Sequence, residues 1–181
     1  MSTDLNALLY LPVNMYSIFV FILSYDLWFY ISHLMLHHKS LYKYHKEHHI
    51  AVYPKWTDTQ KGSTFESVFQ TVGTLIPLLY YKSLTADFVY ANMIIGMRAL
   101  MRHDDRCIFL IGNHHLLHHR YSSYNFGEYW LDSLCGTMYP KYEEHKRGII
   151  FFLWFGLNQF NTTCYRTYND HFPYRIHSAP W

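Results

Sequence analysis

Residues 26–49 read DLWFYISHLMLHHKSLYKYHKEHH, and the fold depends on this stretch. An aromatic, apolar segment runs directly into His33 and His37, which are followed by a compact polar group. The pattern H-x-x-H-H occurs twice in the chain, at His45, His48 and His49 and again at His115, His118 and His119. Histidine is the commonest transition-metal ligand. With 14 histidines in 181 residues, the chain is therefore predicted to hold a metal site.

The spacing of the histidines indicates how they meet. Residues four apart share one face of a helix, so His33 and His37 are expected to converge, as are the outer members of each H-x-x-H-H group. His103 adds a ninth candidate ligand. Nine imidazoles exceed the shell of one ion and suit two ions with about four or five ligands each. Neutral imidazole binds iron, copper, zinc and nickel, so the residues leave the metal open.

Apolar stretches predict an integral membrane protein. Residues 5–31 are long enough to cross a bilayer, although Asp26 interrupts them. Residues 65–101 are predicted as a transmembrane hairpin with a kink at Pro77. Residues 149–160 are too short to span and are expected to form a re-entrant or interfacial helix.

Two polar blocks separate these stretches, residues 39–61 and 102–148, and both carry lysine and arginine beside the histidines. One span followed by a hairpin places both blocks on one side, which the positive-inside rule makes cytosolic. The predicted fold class is therefore all-α. Residues 1–181 would form one membrane helical bundle with a cytosolic His-rich cap that holds a dimetal site.

Composition excludes several other classes of protein. A net charge of +2 without a run of basic residues argues against a nucleic-acid partner. Cys107, Cys135 and Cys164 lack C-x-x-C spacing, so neither a disulfide framework nor a cysteine-rich zinc site is expected. The N-terminal stretch does not have the pattern of a cleavable signal peptide.

Polar partners are needed to orient ligating rings. The candidates are Asp26, Glu47, Asp104, Asn125 and Asp132. A carboxylate within a span is costly, which makes Asp26 the strongest of these. His38 and His114 are candidate outer partners. His145, His171 and His177 are expected at the surface, although one of them could complete a tenth ligand position.

At these residues the chain resembles the fatty acid hydroxylase / sterol desaturase superfamily. Residues 26–49 are similar to the first two histidine boxes of that superfamily, and HHLLHHRYSSYNFG at 114–127 is similar to the third box with its N-[FY]-G. WLDSLCGT at 130–137 is similar to the W-D-x-L-F-G-T segment that follows, and His103 stands where the superfamily has a further histidine. The resemblance covers roughly residues 20–140.

The resemblance implies a non-haem di-iron oxygenase of the endoplasmic reticulum, acting in lipid biosynthesis. It would hydroxylate or desaturate a sterol or fatty acyl lipid with dioxygen and two electrons, delivered from NAD(P)H through a b-type cytochrome and its reductase. Zinc would be the alternative to the two iron ions in a purified sample. The HHLLHH form of the third box is slightly more similar to sterol methyl oxidases than to acyl hydroxylases. The implied catalytic and metal-binding residues are His33, His37, His45, His48, His49, His103, His115, His118 and His119.

The chain departs from the superfamily in two ways, and both keep alternatives open. Superfamily members usually carry additional N-terminal spans, and the link between His37 and His45 is one residue tighter than the common pattern. A catalytically inactive metal-binding membrane protein of the same fold is therefore one alternative. A zinc hydrolase is another, although H-E-x-x-H is missing and the nearest match is Glu47 within H-K-E-H-H.

Overall fold

The computed structural model describes residues 13–81 and 85–149, and these residues form helices and turns without a strand. The all-α prediction is confirmed for this part of the chain. The start of the predicted first span, the turn at 82–84 and residues 150–160 of the predicted re-entrant helix lie outside the described residues, as do Cys164, His171 and His177.

Helix α1 (Met15–Leu36) is the central element. It begins after Asn14, whose side chain accepts hydrogen bonds from the backbone N–H groups of Tyr16 and Ser17 and satisfies two donors of the first turn. By length and composition it is the one helix of the described residues that is able to cross a membrane. The sequence predicted a span that ends at residue 31, but α1 continues to Leu36, so His33 lies within the helix.

The predicted hairpin is helical. Helix α2 (Thr64–Leu75) is followed by the short α3 (Leu78–Tyr81) and by α4 (Ala86–Arg102), and the expected break at Pro77 separates α2 from α3. With 12 and 17 residues, α2 and α4 are shorter than the roughly 20 residues that a span needs. That the hairpin crosses a membrane stays a prediction.

Helix α1 packs against α2 and α4 through an apolar core. Two side chains of α4, Ala91 and Ile95, meet the buried face of α1, which is formed by Ile18, Phe21, Ile22, Tyr25 and Phe29. The contact with α2 is closer. The Trp28 indole N–H donates to the Phe69 carbonyl at 2.6 Å, and the Ser24 hydroxyl donates to the Gly73 carbonyl at 2.9 Å.

A buried ionic network joins α1 to α4. Arg98 donates to Asp26 and Glu128, both at 2.6 Å, and Arg102 donates to the same Glu128 carboxylate. The sequence offered Asp26 as a partner of a ligating histidine. That expectation is wrong, because its bond is to Arg98 on the neighbouring helix.

Short elements complete the described fold. They are the 3-10 turns Tyr42–Tyr44, His48–Ile50, Trp56–Asp58, Asp105–Cys107 and Tyr142–Glu144, and the helices α5 (Ile108–Ile111), α6 (His114–Arg120) and α7 (Tyr129–Cys135). The expectation that His45 and His49 share an α-helix is wrong, since 3-10 turns carry this segment. The matching expectation for His115 and His119 holds, because both lie on α6.

Candidate metal centre

The nine candidate histidines meet in two adjoining groups where α1 and α4 end. Within each group the ring nitrogens that would bind an ion lie within 4.8 Å of one another. The first group contains His33, His37, His45, His49 and His118, and the second contains His48, His103, His115 and His119. The structure thus gathers all nine rings from distant parts of the sequence, as the spacing indicated. Their binding of metal stays a prediction.

Each H-x-x-H-H motif contributes to both groups. His45 and His49 belong to the first group, whereas His48 between them belongs to the second. On α6 the division is reversed: His115 and His119 belong to the second group and His118 to the first. On α6 the adjacent residues His118 and His119 point about 100° apart, so this motif reaches both ion positions. His33 and His37 enlarge the first group and His103 the second.

The inward nitrogens of the rings are close together. In the first group, Nε2 of His45 lies 3.0 Å from Nε2 of His33 and 2.9 Å from Nε2 of His49. Nε2 of His118 lies 3.1 Å from Nε2 of His49 and of His37. In the second group, Nε2 of His103 lies 3.1 Å from Nε2 of His48 and 3.0 Å from Nε2 of His115.

The outward nitrogen of most rings is held by an oxygen acceptor. His45 Nδ1 donates to the Glu66 carboxylate at 2.8 Å. Five other Nδ1 atoms donate to backbone carbonyls: His33 to Phe126, His48 to Lys61, His103 to Ala99, His118 to Tyr124 and His119 to Ala51. Such bonds place the proton on Nδ1 and leave Nε2 with a free lone pair, which is the tautomer that binds metal.

This tautomer makes the short contacts unfavourable in the protein alone. His33 and His45 both have a proton on Nδ1, so their Nε2 lone pairs face each other at 3.0 Å. His48 and His103 have the same conflict at 3.1 Å. The buried Nε2 of His119 has no partner among the described residues. A shared cation resolves all three observations, so the residues fit a metal ion in each group.

Burial keeps these rings neutral. It lowers the pKa of His45 to about 3, and it lowers the pKa of His103 to about 3 with a further contribution from nearby His48. Burial also holds the pKa of His115 and His118 well below the ordinary histidine value. A neutral imidazole is the form that ligates metal, so protons do not compete for these nitrogens near neutral pH.

The loop after α6 is fixed by two fully buried polar residues. Asn125 has a φ of 60°, which asparagine tolerates better than most residues, and its amide bonds the His114 carbonyl and the Tyr139 N–H. The Asp132 carboxylate accepts from the N–H groups of Phe126 and Gly127. This arrangement orients the Phe126 carbonyl that holds His33 Nδ1, so both residues act on a ligand through the backbone.

The other predicted partners have different positions. Glu47 is exposed, and Asp104 accepts from Arg106 and from the Trp56 N–H rather than from a ring. His114 bonds Asp132 at 3.0 Å, which makes it a partner of the residue that fixes the loop. His38 is exposed, and His145 bonds the Tyr139 carbonyl instead of lying free at the surface.

Sequence reasoning missed Glu66, the carboxylate that bonds a candidate ligand. Its backbone N–H bonds the Ser63 hydroxyl at the start of α2, so S-T-F-E has the pattern of an ordinary helix cap. Its side chain bonds His45 instead and is buried at 5% exposure. The Ala99 carbonyl was identifiable, since it lies four residues before His103 on the same helix. The other carbonyls depend on tertiary contacts.

A cavity of about 230 Å³ adjoins the centre between α1, α2 and α4. His33, His48, His103 and His115 line its inner end, and the helices line the remainder. A cluster of neutral imidazoles beside a cavity between helices defines a candidate metal-dependent site.

Comparison with known proteins gives the family. The model of the fatty acid hydroxylase family matches residues 18–137, which include every histidine of the two groups. The match covers more than half of the chain, so the chain belongs to the fatty acid hydroxylase family. Membership makes the protein an oxidoreductase in general terms, of a kind associated with membranes and lipid substrates. No curated protein and no solved structure matches the chain.

Proposed function

We propose that the protein is a membrane-bound non-haem di-iron oxygenase that hydroxylates or desaturates a sterol or fatty acyl lipid. Electrons would come from NAD(P)H through a b-type cytochrome and its reductase, at the endoplasmic reticulum with both His-rich blocks cytosolic. The observation that carries the proposal is the opposition of bare Nε2 lone pairs about 3 Å apart in both groups.

The number of histidines in the first group favours iron over zinc. Zinc in protein sites is almost always tetrahedral, whereas five histidines in the first group exceed that number.

The protein's own residues prepare the site in three ways. Outward hydrogen bonds such as His45 to Glu66 fix the rings before an ion arrives. The Phe126 ring lies 5.1 Å from the His37 ring, and the Phe29 ring lies 5.0 Å from the His33 ring, which limits the entry of water. The cavity then brings one carbon of the substrate to the centre. Bound iron supplies the activation of dioxygen that such chemistry requires.

The first test removes one ligand from each group. His118→Ala should lower the metal content of the first group and His48→Ala that of the second, each from two ions per chain toward one. Both variants should lose turnover of a labelled lipid with the reductase by at least 100-fold. The control is His38→Ala, which changes an exposed histidine next to His37.

The outcomes separate the competing functions. Full activity with unchanged metal in either variant would refute the assignment of the site. Two bound ions in the wild-type protein without turnover of any lipid would favour the inactive metal-binding protein of the same fold. A zinc hydrolase is disfavoured, because its candidate base, Glu47, is exposed whereas the rings of both groups are mostly buried.

A further inference from the structure

The cavity has an open edge at Gly96 of α4, which is an exposed residue. Gly96 lines it, and a Cβ atom added at this residue would meet no atom within 4 Å. Glycine within a helix is less stable than alanine and has no conformational role there. Ala99, which also lines the cavity, lies about one turn further along the same helix, with His103 a turn beyond it. The small side chains therefore leave room that leads to the second histidine group.

Three polar side chains line the part of the cavity away from the histidines, one from each helix. They are Tyr25 of α1, Gln70 of α2 and Asn92 of α4. Tyr25 lies roughly 12 Å before His33 along α1, and Asn92 lies roughly 16 Å before His103 along α4, at 1.5 Å per residue. Because α2 runs the opposite way, Gln70 also lies on the side of Glu66 that is remote from the centre.

These polar groups have capacity for hydrogen bonds that the described residues do not use. The Tyr25 hydroxyl and the Gln70 amide have no hydrogen bond within residues 13–81 and 85–149. The Asn92 amide donates to the Phe88 carbonyl at 2.8 Å, which leaves its carbonyl oxygen available. Tyr25 is only 8% exposed, and a buried tyrosine hydroxyl usually has a partner.

The hydroxyls of α2 differ, because they are already bonded to the backbone. Thr71 donates to the Ser67 carbonyl at 2.7 Å, and Thr74 donates to the Thr71 carbonyl at 3.0 Å. The charged side chains of the lining lie at the histidine end. The Lys61 carbonyl accepts from His48, Glu66 bonds His45, and Arg102 directly precedes His103. The group that fits Tyr25, Gln70 and Asn92 at the remote end is therefore neutral, and a hydroxyl both donates and accepts.

We propose that this cavity binds a lipid that carries a hydroxyl group remote from the reacting carbon. Tyr25, Gln70 and Asn92 bind the hydroxyl, and the missing side chain at Gly96 leaves room for the segment that reaches the histidines. At about 230 Å³ the cavity is smaller than a typical ligand pocket of roughly 300–1,000 Å³, so part of a lipid enters it. The inference rests on the proposed function and assigns its substrate class.

The test measures binding without turnover. Radiolabelled hexadecan-1-ol, hexadecane and hexadecanoate are titrated onto the purified full chain in phosphatidylcholine nanodiscs. The expected result is that the alcohol binds at least tenfold tighter than either of the others. Tyr25→Phe and Gln70→Leu should each reduce this preference several-fold, because the site then lacks a partner for the hydroxyl. Tyr16→Phe, at an exposed tyrosine of the same helix, should leave it unchanged.

A second pair of variants tests the steric role of Gly96. Gly96→Phe should weaken binding of the alcohol at least tenfold, whereas Met97→Phe, on the exposed face of α4, should not. Helix content by circular dichroism and metal content are measured for each variant, so that a misfolded protein is recognised. Gly96→Leu replaces Gly96→Phe if the latter fails to fold.

Equal binding of alcohol and alkane, tighter binding of the carboxylate, or unaltered binding in a folded Gly96 variant would overturn the inference. Failure of the proposed function gives a different result. Selective alcohol binding in a protein that holds metal but oxidises no lipid would refute the oxygenase and retain the cavity assignment.

Discussion

At the scale of the residue, the hydrogen bond that Nδ1 of a ring makes determines whether Nε2 of that ring can bind a metal. His45 is an example: its Nδ1 proton is held by Glu66 at 2.8 Å, so its Nε2 has only a lone pair to offer. The Nδ1 proton of His103 is held in the same way by the Ala99 carbonyl, which lies one turn earlier on the same helix. The sequence pattern identifies the rings, whereas these acceptors give them the tautomer that a metal requires.

Glu66→Ala should reduce the metal affinity of the first group by about 10- to 100-fold, because the ring of His45 then has no outer partner. Glu66→Gln should retain most of the affinity, since its amide oxygen accepts the same hydrogen bond. Metal titration of the purified protein measures both. Ser67→Ala, at the exposed neighbouring position, is the control. Unchanged affinity in the folded Glu66→Ala variant would contradict the role of this carboxylate.

At the scale of the element, two glycines serve opposite purposes. A Cβ at Gly73 of α2 would lie 2.7 Å from the Trp28 Cβ and 2.9 Å from the Tyr25 Cα, so this glycine lets α2 approach α1 closely. A Cβ at Gly96 of α4 would meet open space. One residue type thus allows a helix contact at the first position and leaves cavity volume at the second.

The same substitution should therefore have opposite effects on stability. Gly73→Ala should lower the free energy of unfolding by about 1–3 kcal/mol, because the backbone of α1 cannot move away without loss of packing. Gly96→Ala should raise it by about 0.5–1 kcal/mol through the better helix propensity of alanine. Chemical denaturation in detergent micelles measures both values. A change of the same sign at both positions would contradict the helix contacts described here.

At the scale of the whole molecule, the candidate ions connect parts of the chain that have little else in common. The first group alone draws rings from α1, from the turns at 42–50 and from α6. Without an ion these rings place lone pairs against each other, and with an ion they become cross-links. The stability of the cap should therefore depend on metal.

Removal of metal with a chelator should lower the melting temperature. An ion present at 100 times its dissociation constant stabilises the folded state by about 2.7 kcal/mol, which corresponds to about 5–10 °C for a chain of this size. The expected shift is measured by thermal unfolding in detergent, before and after dialysis against chelator, and should reverse when iron(II) is restored. A melting temperature that is the same before and after treatment with chelator would show that the rings do not hold ions.

Because histidines of both polar blocks meet at one site, both blocks are predicted to lie on the same side of the membrane. Lys55 belongs to the first block and Lys141 to the second, and both are exposed. In a background without the native cysteines, Lys55→Cys and Lys141→Cys should react with an impermeant maleimide from the cytosolic side. Tyr16→Cys, at the other end of α1, should react only after permeabilisation. Labelling of Lys55→Cys from the lumenal side alone would show that the orientation is opposite to the predicted one.

The sequence predicts features that depend on neighbouring residues better than features that depend on contacts between distant residues. Helix α1 and the break at Pro77 follow from local composition, and both are present. The turns at His45 to His49 could not be foreseen, because 3-10 and α-helical spacing give the same H-x-x-H-H pattern. Glu66 was hidden by the resemblance of its segment to a helix cap. Asp26 was misassigned because its partner, Arg98, lies far away in the sequence.

By itself, the sequence determined the helical class, the nine histidines and the family to which they belong, because these depend on local periodicity and spacing. Only the tertiary structure decided how the rings divide into groups of five and four, and which oxygen atoms hold them. It alone also revealed the cavity beside them. These features depend on contacts between distant segments, which are set by the packing of α1 against α2 and α4 and by no single stretch of the chain.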